Sequence, residues 1–319
     1  MKKQQNSKFQ KLIDNGNLFI DENIQLIKSA YINFQNFTFK NPYARLMRLH
    51  QPIGIQLVVL PVLWTLTIIS YDIIHFLCLT IIFIFGAVIM RSAGSIVNDI
   101  IDKDIDKNVK RTKIRPLANG ELTIKQGYKL LAILLIIALM ILIILPLKSI
   151  YFGFLALFLT VIYPFIKRYS YYPQIFLGFT FNIGVFIAWY SVKNHISFIP
   201  ILIYLSAVLW TIVYDTIYAH QDKIDDIKIG VKSTALKFNN KTKIILNYVY
   251  KILIATLALT GLNSNLNIIY FAILFIVLFL SLKKLDNINL NSPDECNQNF
   301  KTHFDYGVLI LIGFILGHI

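Results

Sequence analysis

Across 319 residues the chain is 56% hydrophobic and only 15% charged, where soluble domains carry roughly 25% charged side chains. Runs such as Leu130 to Leu147 and Ile268 to Leu282 are apolar around the whole helix, which excludes a soluble globular fold and identifies an integral membrane protein with the lipid bilayer as its partner. The net charge of +14 would point to nucleic acid on a soluble domain; here topology sorts the basic residues, and no nucleic acid partner is expected.

Residues 1–40 have neither the apolar core nor the small-residue cleavage site of a secretory signal, and they carry Asp14, Asp21 and Glu22. They read as a polar cytoplasmic extension to a membrane domain of residues 41–319. Apolar runs then predict nine spanning helices near 53–70, 74–97, 128–147, 149–166, 173–192, 198–219, 243–260, 267–282 and 305–318. The expected fold is an all-α, polytopic bundle.

With the amino terminus inside, the internal segments, counted with Lys129 and Lys243 at the inner ends of spans three and seven, hold 27 of the 31 Lys and Arg; Lys148 and Lys193 lie outside and Arg91 and Lys251 within spans. The positive-inside rule therefore places the long charged loops, and with them the chemistry, on the cytoplasmic face or its organellar equivalent. That means a bacterial inner membrane, or a mitochondrial inner membrane if the source is eukaryotic. Cys78 and Cys296 form no disulfide or metal pattern.

Two of those loops open with acidic clusters at the ends of spans two and six. Asn98, Asp102 and Asp106 recur at helical spacing, with Asp99 beside them, so they make one oxygen-rich stripe. Asp222 and Asp226 repeat the spacing after span six. Facing stripes of this kind suit Mg²⁺, which takes a few carboxylates and completes its shell with water and phosphate oxygens. Basic residues trail each cluster: Arg111 and Arg115 after the first, Lys223, Lys228 and Lys232 in and after the second. They are candidates for neutralising a diphosphate. Asp104 and Asp225 fall off the stripes and are expected to pair locally. The recurrence of acidic loops four helices apart is a weak internal repeat. Arg91 lies within a span and needs a partner or a polar cavity. Arg48, before span one, and Arg168, closing span four, are the candidate cations for an acidic aromatic ligand. Tyr163, Tyr214 and Tyr218 serve either as interfacial aromatics or as faces beside a cation.

At these residues the chain resembles the membrane aromatic prenyltransferases of the UbiA superfamily, and most specifically their hydroxybenzoate branch. The matching stretches are Arg48-Leu-His-Gln-Pro-Ile-Gly, Met90-Arg-Ser-Ala-Gly-Ser-Ile-Val-Asn-Asp-Ile-Ile-Asp102 continuing to Asp106, Val109 to Leu117, Tyr163-Pro-Phe-Ile-Lys-Arg-Tyr169, and Tyr214-Asp-Thr-Ile-Tyr-Ala-His-Gln-Asp222 continuing to Thr234. Ser95 stands where such proteins often have Cys, and Ile224 where some have another acid. The last three spans match in hydropathy only.

The resemblance implies an active-site cavity on the cytoplasmic side, with Mg²⁺ as cofactor, a polyprenyl diphosphate as donor and 4-hydroxybenzoate as acceptor, joined at the ring carbon ortho to the hydroxyl in ubiquinone biosynthesis. Asn98, Asp99, Asp102, Asp106, Asp222 and Asp226 would hold the metal. Asp102, Asp106, Asp222, Asp226 and Arg168 would be catalytic, with Arg48 or Arg168 orienting the acceptor carboxylate. Within the superfamily the alternatives are dihydroxynaphthoate, homogentisate or haem acceptors. A cation-coupled transporter is the alternative from another class, but it would place its charges near mid-membrane rather than at one face.

Overall fold

The structure, a computed structural model, describes residues 32–319 together with residues 25, 29 and 30. The described part is helical, with nine apolar helices: α1 (Ile53–Ile69), α2 (Ile73–Ile101), α3 (Ile124–Leu142), α4 (Leu147–Tyr169), α5 (Pro173–Val192), α6 (Phe198–Ala219), α7 (Thr242–Asn263), α8 (Ile268–Asn287) and α9 (Pro293–Gly317). Each starts or stops where side-chain chemistry dictates. Asp72 accepts from His75 N at 2.7 Å to open α2, Thr123 and Gln126 form a reciprocal box at α3, and Asn267 and Ser292 cap α8 and α9. Such caps satisfy amides that the first turn leaves unpaired.

Eight of these helices are long and apolar enough to cross a membrane and α1 is shorter, so the expected count of about nine roughly matches among the described residues, and the protein is a multi-pass membrane bundle. Two elements differ from the hydropathy reading. Helix α9 starts at Pro293, about three turns before the apolar run near 305, because one face of its polar first half (Cys296, Asn299, Phe300 and His303) is buried: His303 Nδ1 donates to Asn299 O at 2.9 Å and its Nε2 accepts from Tyr250 on α7 at 2.7 Å. A window average registers such a segment as loop. Helix α5 is interrupted at Asn182, whose buried side-chain amide donates to Gly178 O at 2.7 Å and to Thr211 on α6 at 3.0 Å. A break inside a membrane survives only where a side chain re-satisfies the backbone, as this amide does.

Neighbour contacts close a ring through α1, α2, α4, α5, α6, α7, α8, α9 and back to α1, with α3 packed outside against α2. Lipid tails are as apolar as leucine, so close packing and polar pairs hold such a ring. At the α9–α1–α6 crossing, Gly307 makes room: a Cβ there would lie 2.5 Å from Leu60 and 2.7 Å from Trp210, and Trp64 donates to Gly307 O at 3.0 Å. The core on this side joins Trp64, Trp210, Tyr214, Tyr250, Tyr270 and Phe314.

The end of the amino-terminal extension is less polar than expected. Residues 32–40 are helical and turn Ile32, Phe34, Phe37 and Phe39 outward; most of the extension lies outside the described residues.

Candidate active site

A cavity of about 300 Å³ lies at the charged end of the bundle and is lined by Asn98, Asp99 and Asp106 from the first cluster and Asp222 and Asp226 from the second. The two clusters, more than a hundred residues apart in sequence, thus share one cavity. Helix α2 carries the first stripe and runs into a short turn, Lys103–Asp106; α6 runs through His220–Asp222 into Lys223–Ile229, which carries the second. Gly230, at φ 74°, ends that short helix in the left-handed region that glycine adopts without strain.

The loop after Asp106 folds back over the mouth. Thr112 donates to Asp106 O at 3.0 Å, which aims Arg115 at both Asp106 (2.7 Å) and Asp99 (3.1 Å). Arg111 crosses to the other cluster and grips Asp222 with contacts of 2.6, 2.9 and 3.1 Å, while also donating to Tyr218 at 3.2 Å. Burial pushes the Asp106 carboxyl above the usual range, with Arg115 opposing the shift.

Other expected site residues are placed differently. Asp102 is fully buried, closed over by Lys167 and with Arg168 at 3.6 Å. Arg168 also donates to Ile101 O at 3.1 Å, so it braces the end of α2. Arg48 is bidentate to Asp99 at 2.6 and 2.9 Å and takes φ 61°, a left-handed backbone uncommon for a side chain of its size. Burial pushes its guanidinium down to about 10, with Asp99 opposing, which leaves it charged at neutral pH. Both candidate acceptor arginines therefore face aspartates. Lys232 lines the cavity and donates to Tyr169 O at 3.1 Å. Lys223 instead donates to Asn239 at 2.8 Å and Lys228 lies 3.7 Å from Asp225, so these two turn away from the cavity. Asp104 pairs with Lys107 at 2.9 Å as an exposed local contact.

Among the described residues no three acidic, His or Cys side chains converge as a closed metal cage. Asp99, Asp102, Asp106 and Asp222 are instead each closed by an arginine or lysine, whereas Asp226 lines the cavity without an ion pair among the described residues. The donor set still fits Mg²⁺, which binds through one or two carboxylates plus substrate phosphates rather than in an all-protein cage. Asp102 Oδ1 is buried without a hydrogen bond, with Arg168 standing 3.6 Å from it, so the oxygen is an acceptor short of a donor.

A second layer lies deeper. Arg91 on α2 precedes Asn98 by seven residues, and Asp215 on α6 precedes Asp222 by seven, so both sit about 10 Å further into the bundle. Both line the same cavity, with Tyr163, Tyr214, Tyr218 and Phe300. Arg91 bonds Ser95 Oγ and stands 5.3 Å from the Phe181 ring centroid; its Nε has no hydrogen bond. Asp215 escaped the sequence reading although an acid inside an apolar run was signal enough. Phe300, from the polar half of α9, had no signal. Beyond this layer a second cavity of about 330 Å³, wholly apolar but for its mouth, runs among α1 to α5 past Gly86, Met90, Leu139 and Phe154, and it shares Arg91, Gly94, Thr160, Thr180 and Phe181 with the first.

A membrane bundle in which a charged cavity leads through one cation and one anion into an apolar cavity defines a protein built for a ligand with an ionic head and a lipid-like tail. The chain belongs to the UbiA prenyltransferase family, whose profile matches residues 58–308. It is 39% identical over 279 residues to a Drosophila melanogaster protein named 4-hydroxybenzoate polyprenyltransferase, mitochondrial, spanning 86% of this chain and 71% of that one. The human protein of the same name is 38% identical over 283 residues, spanning 87% and 76%. In fold it is similar to a UbiA homolog from Aeropyrum pernix K1 (TM-score 0.66, 21% identity, 84% of this chain and 98% of that). A UbiA homolog from Archaeoglobus fulgidus bound to GPP and Mg²⁺ is also similar (TM-score 0.63, 19% identity, 85% and 99%).

Proposed function

We propose that the protein transfers a polyprenyl group from its diphosphate to the ring carbon ortho to the hydroxyl of 4-hydroxybenzoate. The observation that carries this reading is the stacking of three layers along one path: paired acid clusters with arginines, then Arg91, then an apolar cavity. The names of the relatives support the acceptor, and the A. fulgidus complex supports a prenyl diphosphate with a divalent metal.

Asn98, Asp102, Asp106, Asp222 and Asp226 would hold Mg²⁺, with Asp99 supporting. Bound there, the metal supplies charge neutralisation for the departing diphosphate. Arg111, Arg115 and Lys167 donate to phosphate oxygens as readily as to the carboxylates they now face, because carboxylate and phosphate present the same acceptor geometry. The isoprenoid tail lies in the apolar cavity, where exclusion of water keeps an allylic cation from hydrolysis. The faces of Tyr163, Tyr214 and Tyr218 stabilise positive charge on the way.

Arg91 is the better cation for the acceptor carboxylate than Arg48 or Arg168. It faces the cavity with a free Nε, among the described residues it has no carboxylate within ion-pair distance, and it sits where head and tail cavities meet. The test is direct: membranes containing the protein, given 4-hydroxybenzoate, polyprenyl diphosphates of several lengths and Mg²⁺, form the ortho-prenylated acid, and chelation stops the reaction. Transfer to dihydroxynaphthoate or homogentisate in place of 4-hydroxybenzoate would reassign the acceptor.

A further inference from the structure

The acid of the second layer stands apart from the two clusters, half-buried beside the cavity. Asp215 lines the cavity from α6, inside the apolar span, and among the described residues it has no cation within 4.0 Å and no side-chain hydrogen bond. Asp99, Asp102, Asp106 and Asp222 are each held by arginine or lysine at the outer layer. A carboxylate locked against a guanidinium has its lone pairs occupied and is a weak proton acceptor, whereas one facing a cavity without a partner keeps them free. Arg91, on α2, lines the same cavity. Arg91 and Asp215 thus stand at one depth on two different helices, a cation and an anion beside the same space.

We propose that Asp215 is the base that removes the ring proton of the acceptor. This rests on the acceptor and reaction proposed above. The C1–O bond of the donor breaks and its electron pair leaves with diphosphate. A ring π pair of the acceptor, at the carbon ortho to the hydroxyl, forms the new C–C bond to C1. That carbon then carries both the prenyl group and its original hydrogen. Its proton passes to a carboxylate oxygen of Asp215, and the C–H electron pair returns to the ring. The proton leaves Asp215 for solvent through the polar cavity. A phenolic acid spans the two charges of this layer: its carboxylate on Arg91 turns its far edge, where the new bond forms, away from that cation and along the wall that Asp215 shares. The location also keeps the base away from the diphosphate oxygens, which the outer arginines engage.

The experiment compares 4-hydroxybenzoate with its 3,5-dideuterated form in the purified full-length protein. In the wild type, deprotonation is fast and turnover is the same for both. In Asp215→Asn, turnover falls about a hundredfold, the loss typical of a missing general base, a primary isotope effect appears, and KM for the prenyl donor and the Mg²⁺ requirement stay unchanged. Unchanged turnover, a slow variant without an isotope effect, or a raised Mg²⁺ requirement each overturns the proposal, the last by making Asp215 a metal ligand. Should the Asn variant fail to accumulate in membranes, Asp215→Glu keeps the charge but displaces it by a methylene, and must show slower turnover with an isotope effect; its absence overturns the proposal equally. If the wild type prenylates 4-hydroxybenzoate and only the isotope arm fails, this assignment alone falls; if the wild type makes no product, both fall.

Discussion

At the scale of single residues, what matters is which charge faces which. Asp222 is the acid of the second cluster that a cation from the first loop reaches, and it is only partly buried. Asp222→Ala is therefore expected to abolish Mg²⁺-dependent transfer while leaving the protein in the membrane at normal amount, checked by activity together with immunoblotting of membranes. Full activity in a well-expressed variant would sink the role given to the paired clusters. For the acceptor, Arg91→Leu should raise KM for 4-hydroxybenzoate about tenfold or more, since a charge-assisted hydrogen bond contributes roughly 1.5 to 3 kcal/mol, and should leave KM for the donor alone. Equal weakening of both substrates would give Arg91 to the diphosphate instead. Arg48 offers a contrast at the same scale: its left-handed backbone and its bidentate contact with Asp99 make it a clamp on the start of the acid stripe. Next to it, burial followed by the charges of Arg48 and Arg45 pushes His50 down to about 4, so it stays neutral at physiological pH and adds no second cation there.

Individual helices contribute packing and shape. The polar half of α9 is held to α7 by the Tyr250–His303 contact of 2.7 Å, with both side chains buried. Tyr250→Phe leaves the imidazole short of a partner inside the bundle, and buried polar pairs in membranes are worth about 0.6 to 1.7 kcal/mol. We expect a lower melting temperature in detergent with prenyl transfer reduced in step, because Phe300, one turn from His303, lines the cavity. A variant as stable as the wild type would show the pair to be dispensable. On α2, a Cβ at Gly86 would meet no atom within 4 Å, and Gly86 lines the apolar cavity. Gly86→Leu should therefore fill part of the tail space, cutting turnover with long polyprenyl diphosphates while sparing short ones. The readout is the ratio of kcat/KM between donors of different length, and an unchanged ratio would place the tail elsewhere.

Across the whole molecule the charge asymmetry makes its own prediction. With 27 of 31 basic residues on one side, the acidic loops should face the cytoplasm or matrix. After Cys296 is replaced, a cysteine introduced near Asn119 should resist impermeant thiol reagents added outside, and one near Asn194 should react; the reverse pattern would invert the topology. The sequence alone determined that this is a bundle of about nine membrane helices and that acid clusters stand at the ends of the second and sixth, because apolar length and helical spacing are local properties that survive in any tertiary context. It also contained, unread, the spacing that sets Arg91 and Asp215 each seven residues before an acid cluster. What it left open was partnership. Nothing in the chain says that Arg111 reaches Asp222 rather than its own cluster, that Arg48 and Arg168 face aspartates, or that Lys223 and Lys228 turn away, since the sign of a charge carries no direction until loops fold across the bundle. The buried start of α9 was hidden for a related reason: its polar residues look like loop until a second helix supplies their hydrogen bonds. Only the tertiary structure decided these matters, because an ion pair or a buried polar contact belongs to two segments at once.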